Sequence, residues 1–277
     1  MFCAEQKHVE QYNEDGYLLV ESLFTPEEVA LLMETAREDR QLAEHAQALD
    51  DGAGGKSDIS AWYIAGDDLY GMFARCHRVV DTCELLLGHD VYHYHSKMII
   101  KEPLTGGAWA WHQDYGYWYQ FGYLLPDLIS CMIAVDQATE ENGCLQVLKG
   151  SHKMGRIEHN LVGEQAGADH QRVELARKKF PLVACEMEPG TALFFHSNIL
   201  HASAQNKSPH SRWSLICCYT ATNNISESDA NHPGYHDHPL EKVPDTAILE
   251  MGKRGFHTDP AFSGKDVESY SGKQEQT

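Results

Sequence analysis

Polar and apolar positions alternate in short blocks along the N-terminal part of the chain. Residues 8–24, HVEQYNEDGYLLVESLF, predict a short polar helix, a turn at Asp15–Gly16 and a strand at Tyr17–Val20. The next block, TPEEVALLMETARE, carries Thr25 as N-cap, Pro26 at the first helical position and Glu28 three residues after the cap. That is a capping box ahead of a helix, whose apolar residues Val29, Leu31, Leu32 and Ala36 are assigned to the core. DDGAGGKSD (50–58) breaks regular structure with three glycines and is expected as a mobile loop, and a helix is expected over 69–88.

Beyond residue 88 the texture changes to short runs rich in Val, Ile, Tyr and Phe, separated by Gly, Pro and Asn clusters. Strands are predicted at 91–100, 127–136, 143–150, 191–196 and 213–222, with a helix inserted at 166–179. Many short strands with punctuating turns indicate a mainly β barrel or sandwich. From about Ser226 periodicity fades, and the end, SYSGKQEQT, is expected to be disordered. With no repeat and no boundary signal, residues 1–277 are expected to form a single domain, its β-core at about 10–222, N-terminal helices packed on it and an extension over 223–277.

Charge narrows the function classes. Lys and Arg number 22 against 41 Asp and Glu, a formal net charge of -19, which opposes nonspecific attraction to nucleic acid or anionic membranes. It leaves room for a local cationic pocket. No apolar run reaches membrane-spanning length and the N-terminus opens with mixed charges, so a cytoplasmic location is expected. The eight cysteines form no CxxC pair and mostly sit among apolar neighbours, which reads as free, buried thiols in a reducing compartment.

Chemistry is concentrated in WHQDYGYWY, residues 111–119. In an extended strand His112 and Asp114 would point to one face and supply two of the three ligands of a facial metal triad. The HxD pattern alone arises by chance, and seventeen histidines give many candidates for a third ligand. The stretch 188–214 separates itself. A turn at Pro189–Gly190 and the strand TALFFH lead into His201, and Arg212 follows eleven residues later. A guanidinium fork beside a metal site holds a carboxylate bidentately, as a chelating dicarboxylate would require at its far end.

The chain resembles the phytanoyl-CoA dioxygenase family of iron(II)- and 2-oxoglutarate-dependent oxygenases, including its ectoine hydroxylase-like bacterial members. The resemblance rests on His112 and Asp114, the distal His201, Ser203, Arg212, the segment NGCLQVLKGSH (142–152) and the N-terminal DGYLLVESLFTPEEV, and covers most of residues 10–222. It implies a double-stranded β-helix, a distorted cupin-like jelly roll, consistent with the strand-rich pattern. It implies Fe(II) held by His112, Asp114 and His201, with the remaining positions left for 2-oxoglutarate and O2. By the same resemblance Arg212 binds the distal carboxylate of 2-oxoglutarate with help from Ser203. Lys101 supplies a basic residue for the cosubstrate or a substrate anion, and His95 stands near a polar cosubstrate contact that relatives often make with glutamine.

The implied reaction is hydroxylation of an unactivated carbon of a small molecule, coupled to oxidative decarboxylation of 2-oxoglutarate to succinate and CO2. Halogenases of this superfamily replace the carboxylate ligand with a small residue, and Asp114 keeps it. Desaturation, cyclisation and epimerisation stay open.

In the ectoine hydroxylase-like relatives an aromatic at the offset of Trp118 lines the substrate pocket, where it would stack on a cationic group of a small zwitterionic substrate. Tyr115, Tyr117 and Tyr119 add hydroxyl contacts or pack, and Trp111 is assigned to core packing. Lys97, Asn198 and Gln146 fall within reach of the pocket, and His152 is a candidate for supporting the ligands.

His93 and His95 share a strand face and mimic a metal pair; His236, Asp237 and His238 read as a solvated loop or lid. Competing classes are a non-catalytic metal- or metabolite-binding β-helix protein and a cupin-like isomerase or dioxygenase without an organic cosubstrate. Neither nucleic acid nor membrane is expected as a partner, and the oligomeric state is not encoded legibly.

Overall fold

The computed structural model describes residues 2–224, 226 and 240–254, so His236, Asp237, His238 and the SYSGKQEQT end lie outside the described residues. The helices are α1 (Gln6–Asp15), α2 (Pro26–Glu38), α3 (Arg40–Glu44), α4 (Leu69–Arg75), α5 (His77–Leu87), α6 (Asp114–Trp118), α7 (His170–Lys179) and α8 (Ala247–Lys253). The strands are β1 (Tyr17–Val20), β2 (Gln47–Asp50), β3 (Lys56–Trp62), β4 (Val91–Lys101), β5 (Trp109–His112), β6 (Leu128–Ala134) and β7 (Leu145–Leu148). They continue as β8 (His159–Val162), β9 (Gln165–Ala168), β10 (Leu182–Cys185), β11 (Ala192–His196), β12 (His201–Ser203) and β13 (Arg212–Ala221).

A seven-stranded sheet in the order β1-β11-β6-β13-β4-β3-β2 faces a four-stranded sheet, β10-β7-β12-β5, and β8 and β9 form a separate hairpin. The strand pairs are antiparallel, and the two facing sheets make the distorted jelly roll. Strand alternation divides the core in two. From β13, Leu215, Cys217 and Tyr219 pack with apolar residues of α2, α4, α5 and α8 on the outside of the large sheet. Ile216 and Cys218 face inward, against Leu145, Val147 and Cys185 of the small sheet. Seven of the cysteines are buried and all eight are free thiols.

Local signals behave as expected at the N-terminus. Gly16 caps α1 at φ 83, a left-handed conformation that glycine adopts without a Cβ penalty. Thr25 Oγ1 accepts from the Glu28 amide at 3.3 Å, and Glu28 Oε2 accepts from the Thr25 amide at 2.8 Å. Glu28 is also held by Arg78 at 2.7 and 2.9 Å, joining α2 to α5. Val29, Leu32 and Ala36 are buried, and Leu31 packs beside them.

Elsewhere tertiary contacts reshape the expectations. The 50–58 stretch is a hairpin turn, with Asp50 opposite Lys56. One oxygen of Asp51 accepts from the Ala53 and Gly55 amides at 2.8 and 3.0 Å; the other accepts from the Ala108 amide at 2.8 Å and from Gln205 at 2.9 Å. Burial opposes ionisation there, yet these donors hold the Asp51 carboxyl down at about 2.

The helix expected over 69–88 is two helices, because Cys76 is extended at ψ 146. Residues near Val243 cross that break, exchanging backbone bonds with Arg75 and His77. The segment beyond residue 226 thus contains structure its weak periodicity did not signal, including α8 with Ile248 and Met251 buried. The inserted helix begins at His170, and Gln165–Ala168 is strand. No helix among the described residues is long and apolar enough to cross a membrane.

Candidate active site

His112 is the last residue of β5, and His201, the first of β12, lies directly across from it. Asp114 is not on the strand. Gln113 stays extended (φ -112, ψ 131), and Asp114 opens α6, so the carboxylate arrives from a helix start. The junction is fixed from behind. The Gln113 amide side chain donates to Asn198 O at 2.9 Å and accepts from the Ile157 amide at 2.7 Å. Its backbone N–H donates to His159 Nε2 at 2.9 Å, while His159 Nδ1 lies 2.7 Å from Ile157 O. His159 is therefore a neutral ring with its proton on Nδ1, and burial pushes it down to about 4.

The three side chains converge. His112 Nδ1 lies 2.7 Å from Ala110 O, and His201 Nδ1 lies 3.0 Å from Ile199 O. Each Nδ1 is committed as a donor to a carbonyl, which leaves each Nε2 with a free lone pair. The Nε2 atoms lie 3.6 and 3.8 Å from Asp114 Oδ1, and one potential ligand atom from each residue falls within 4.8 Å of the others. Burial pushes His201 down to about 3. Tyr117 donates to Asp114 Oδ1 at 2.8 Å and Ser130 to Oδ2 at 3.1 Å. Two neutral imidazoles and an oriented carboxylate, all buried, are the donor set of a facial triad, so the residues present fit a divalent iron.

The same cavity holds Ser203 and Arg212, with Ile99, Met132, Leu145, Phe195 and Ile216 as apolar wall. Arg212 is 2% exposed. It donates to Ser214 Oγ and Gly143 O, both at 3.0 Å, but pairs with no carboxylate among the described residues, and its Nε has no hydrogen-bond partner. Burial lowers it to about 10. Lys101, opposite Arg212 in register, is fully buried and donates to Ser203 Oγ at 2.7 Å and Ala204 O at 2.6 Å. Burial first, then the charge of Arg212, pushes it down to about 6. A buried guanidinium and a buried amine that pair with no carboxylate among the described residues fit the carboxylate end of a dicarboxylate.

Other expected site residues are placed elsewhere. Trp118 is fully buried, with the rings of Tyr94, His95 and Tyr117 edge-on at 5.3, 5.7 and 5.8 Å, and does not line the cavity. Tyr115 donates to Leu124 O, and Tyr117 is engaged by Asp114, so neither hydroxyl faces the cavity. His95 packs between Trp118 and Tyr63 and is outside the lining too. His93 and His95 do not form a pair. A bulge at Tyr94 shifts the register, turning His93 toward Tyr63 O and the ring of Tyr219, on the opposite face from His95.

Trp111 packs against the cluster of Leu148, Ile157 and Leu200, as expected of core packing. Asn198 is occupied by His152 O and Met154 O, and His152 meets Asn13 O. Lys97 does line the cavity. The sequence assigned no site role to His159, Gln113 or Ser130. Only Ser130, a hydroxyl in the apolar run LISCMIA, carried a local signal.

The family model described as phytanoyl-CoA dioxygenase (PhyH) matches residues 12–214. The chain is 30% identical over 183 residues to an L-proline trans-4-hydroxylase of Streptomyces griseoviridis, a match covering 60% of this chain and 68% of that protein. It is 28% identical over 236 residues to an ectoine dioxygenase of Stutzerimonas stutzeri, covering 79% of this chain and 78% of the relative. Among solved structures, apo EctD from S. alaskensis superposes with a TM-score of 0.73 at 24% identity, covering 87% of this chain and 88% of that one, a likeness of fold.

Proposed function

This chain belongs to the phytanoyl-CoA dioxygenase family, and we propose that it is an Fe(II)- and 2-oxoglutarate-dependent dioxygenase that hydroxylates an unactivated carbon of a small molecule. The observation that carries the reading is Arg212. It is a buried guanidinium that pairs with no carboxylate among the described residues, in one cavity with His112, Asp114 and His201.

Bound iron, with 2-oxoglutarate and O2, supplies the oxidising power, and the cosubstrate leaves as succinate and CO2. The protein's part is binding and orientation. His112 Nε2, His201 Nε2 and an oxygen of Asp114 hold the metal. The carbonyls of Ala110 and Ile199 fix the two rings, and the hydroxyls of Tyr117 and Ser130 fix the carboxylate. Arg212 anchors the far carboxylate of 2-oxoglutarate, and Lys101 keeps Ser203 turned toward it. The wall of Ile99, Met132, Leu145, Phe195 and Ile216 excludes water.

Retention of Asp114 supports hydroxylation. The named relatives, an L-proline hydroxylase and ectoine dioxygenases, support a small polar substrate. The reading takes the chain as one catalytic domain, with residues 12–214 covered by the family match. A cytoplasmic place of action, supported by the free thiols, belongs to the same proposal.

Anaerobic titration of the metal-free protein with Fe(II) and 2-oxoglutarate tests it. A visible metal-to-ligand charge-transfer band is expected, lost in His201→Ala and shifted to much higher 2-oxoglutarate concentration in Arg212→Ala. Folded wild-type protein that forms no band would refute the cosubstrate assignment.

A further inference from the structure

Arg212 is not the cavity's sole cation. Lys97 lines the same space as the three convergent side chains. It sits on β4 four residues before Lys101, on the same inward face, opposite Ile216 where Lys101 is opposite Arg212. At about 3.3 Å per residue the two lysines leave the strand about 13 Å apart. Arg212 stands at one end with Lys101 beside it in register, and Lys97, half-buried, lies toward the other, in one lining with His112, Asp114 and His201.

The bland alternative is a lysine that lies along apolar wall and sends its ammonium to water. The surroundings argue otherwise. Its strand neighbours Ser96 and Met98 are fully buried, and its own side chain enters the space between the sheets. No hydrogen bond or ion pair holds the ammonium among the described residues, in contrast to Lys101, Lys149, Lys153 and Lys242. A half-buried ammonium in such a cavity gains a charge-assisted hydrogen bond from an anion that enters with a ligand.

We propose that Lys97 is the residue that recognises the primary substrate, and that this substrate carries an oxyanion, a carboxylate or phosphonate, bound by Lys97 while Arg212 holds the cosubstrate. The inference rests on the dioxygenase reading and extends it. One cavity lined at separate places by two cations that pair with no carboxylate among the described residues is built for two anions, and 2-oxoglutarate accounts for one.

The probes are small amino-acid carboxylates and alkylphosphonates, each matched with its neutral amide or ester, added anaerobically to the Fe(II)–2-oxoglutarate complex. Binding is read as perturbation of the visible band. In the wild type at least one oxyanion is expected to perturb the band about tenfold more tightly than its neutral partner. Lys97→Gln and Lys97→Met, the latter keeping the apolar stem, are expected to erase that difference, and Lys97→Arg to keep it. Whether carboxylates or phosphonates respond identifies the oxyanion.

Discrimination that survives in both neutral variants, neutral partners that bind as well as the anions, or no response to any oxyanion in a complex whose band forms would overturn the proposal. So would variants whose defect is weaker binding of 2-oxoglutarate, because that places Lys97 with the cosubstrate. A wild type without any band fails the dioxygenase reading itself, and this inference with it.

Discussion

Lys101 occupies an unfavourable place for a charge. It is fully buried beside Arg212, and burial with that second cation lowers it from 10.5 to about 6. Between those limits the unfolded chain holds a proton that the folded chain lacks, so this group's contribution to stability rises with pH from about 6 upward and falls as pH drops toward 6. Lys101→Met is expected to flatten that slope in denaturant titrations run across the window. Cosubstrate binding reverses the electrostatics, because a carboxylate beside the amine favours its charged form. At pH near 7.5, 2-oxoglutarate binding is therefore expected to take up close to one proton, seen in calorimetry as a dependence on the buffer's ionisation heat and missing in Lys101→Met. No uptake in the wild type would put Lys101 beyond reach of the ligand. Arg212 answers to a different rule. Its fork is planar and its two bonds to Ser214 and Gly143 orient it. Arg212→Ala is expected to weaken 2-oxoglutarate binding by about 2–5 kcal/mol, and Arg212→Lys to recover little of it, as measured by titration of the band.

Secondary-structure elements, more than single residues, determine whether the ligands meet. His112 and Asp114 were legible as a convergent pair from spacing, but the geometry that joins them is a strand end and a helix start. The outcome agrees because an extended Gln113 turns the chain as one more strand residue would. The His159 ring behind that junction was not legible, since it comes from a hairpin 46 residues downstream and no local pattern connects the two. The same holds for the break at Cys76, made by residues near Val243, and for the turn at 51–55, closed by bonds to Ala108 and Gln205. The capping box of α2 was legible because both of its partners lie within four residues. Gly116 gives the junction a direct test. A Cβ there would lie 1.9 Å from His159 Cε1, and the ring is pinned at both nitrogens, so it cannot move aside without losing a bond. Gly116→Ala is expected to destabilise the protein by about 1–3 kcal/mol and to displace the start of α6, with iron affinity falling at least about tenfold in a metal titration. Unchanged iron binding would show that α6 does not need the His159 contact to aim Asp114.

At the scale of the whole molecule, charge and site have opposite signs. The chain carries a formal net charge of -19, whereas the cavity between the sheets presents Arg212 and Lys97, with Lys101 buried behind Ser203. An anionic cosubstrate must cross the outer negative field before it meets the inner cations, and salt acts on these two stages unequally. The surface field is screened, with a Debye length that shrinks from about 30 Å at 0.01 M to about 10 Å at 0.1 M. The contact with a guanidinium that is 2% exposed is screened far less. Raising ionic strength over that range is therefore expected to increase the association rate of 2-oxoglutarate a few-fold and leave its dissociation rate nearly constant. Stopped-flow growth of the visible band under anaerobic conditions separates the two rates. An association rate that falls with salt would mean that the cavity mouth projects its own positive field past the acidic surface. Lys97, the half-buried member of the three, would be its source, so repeating the measurement in Lys97→Gln would then turn the slope back.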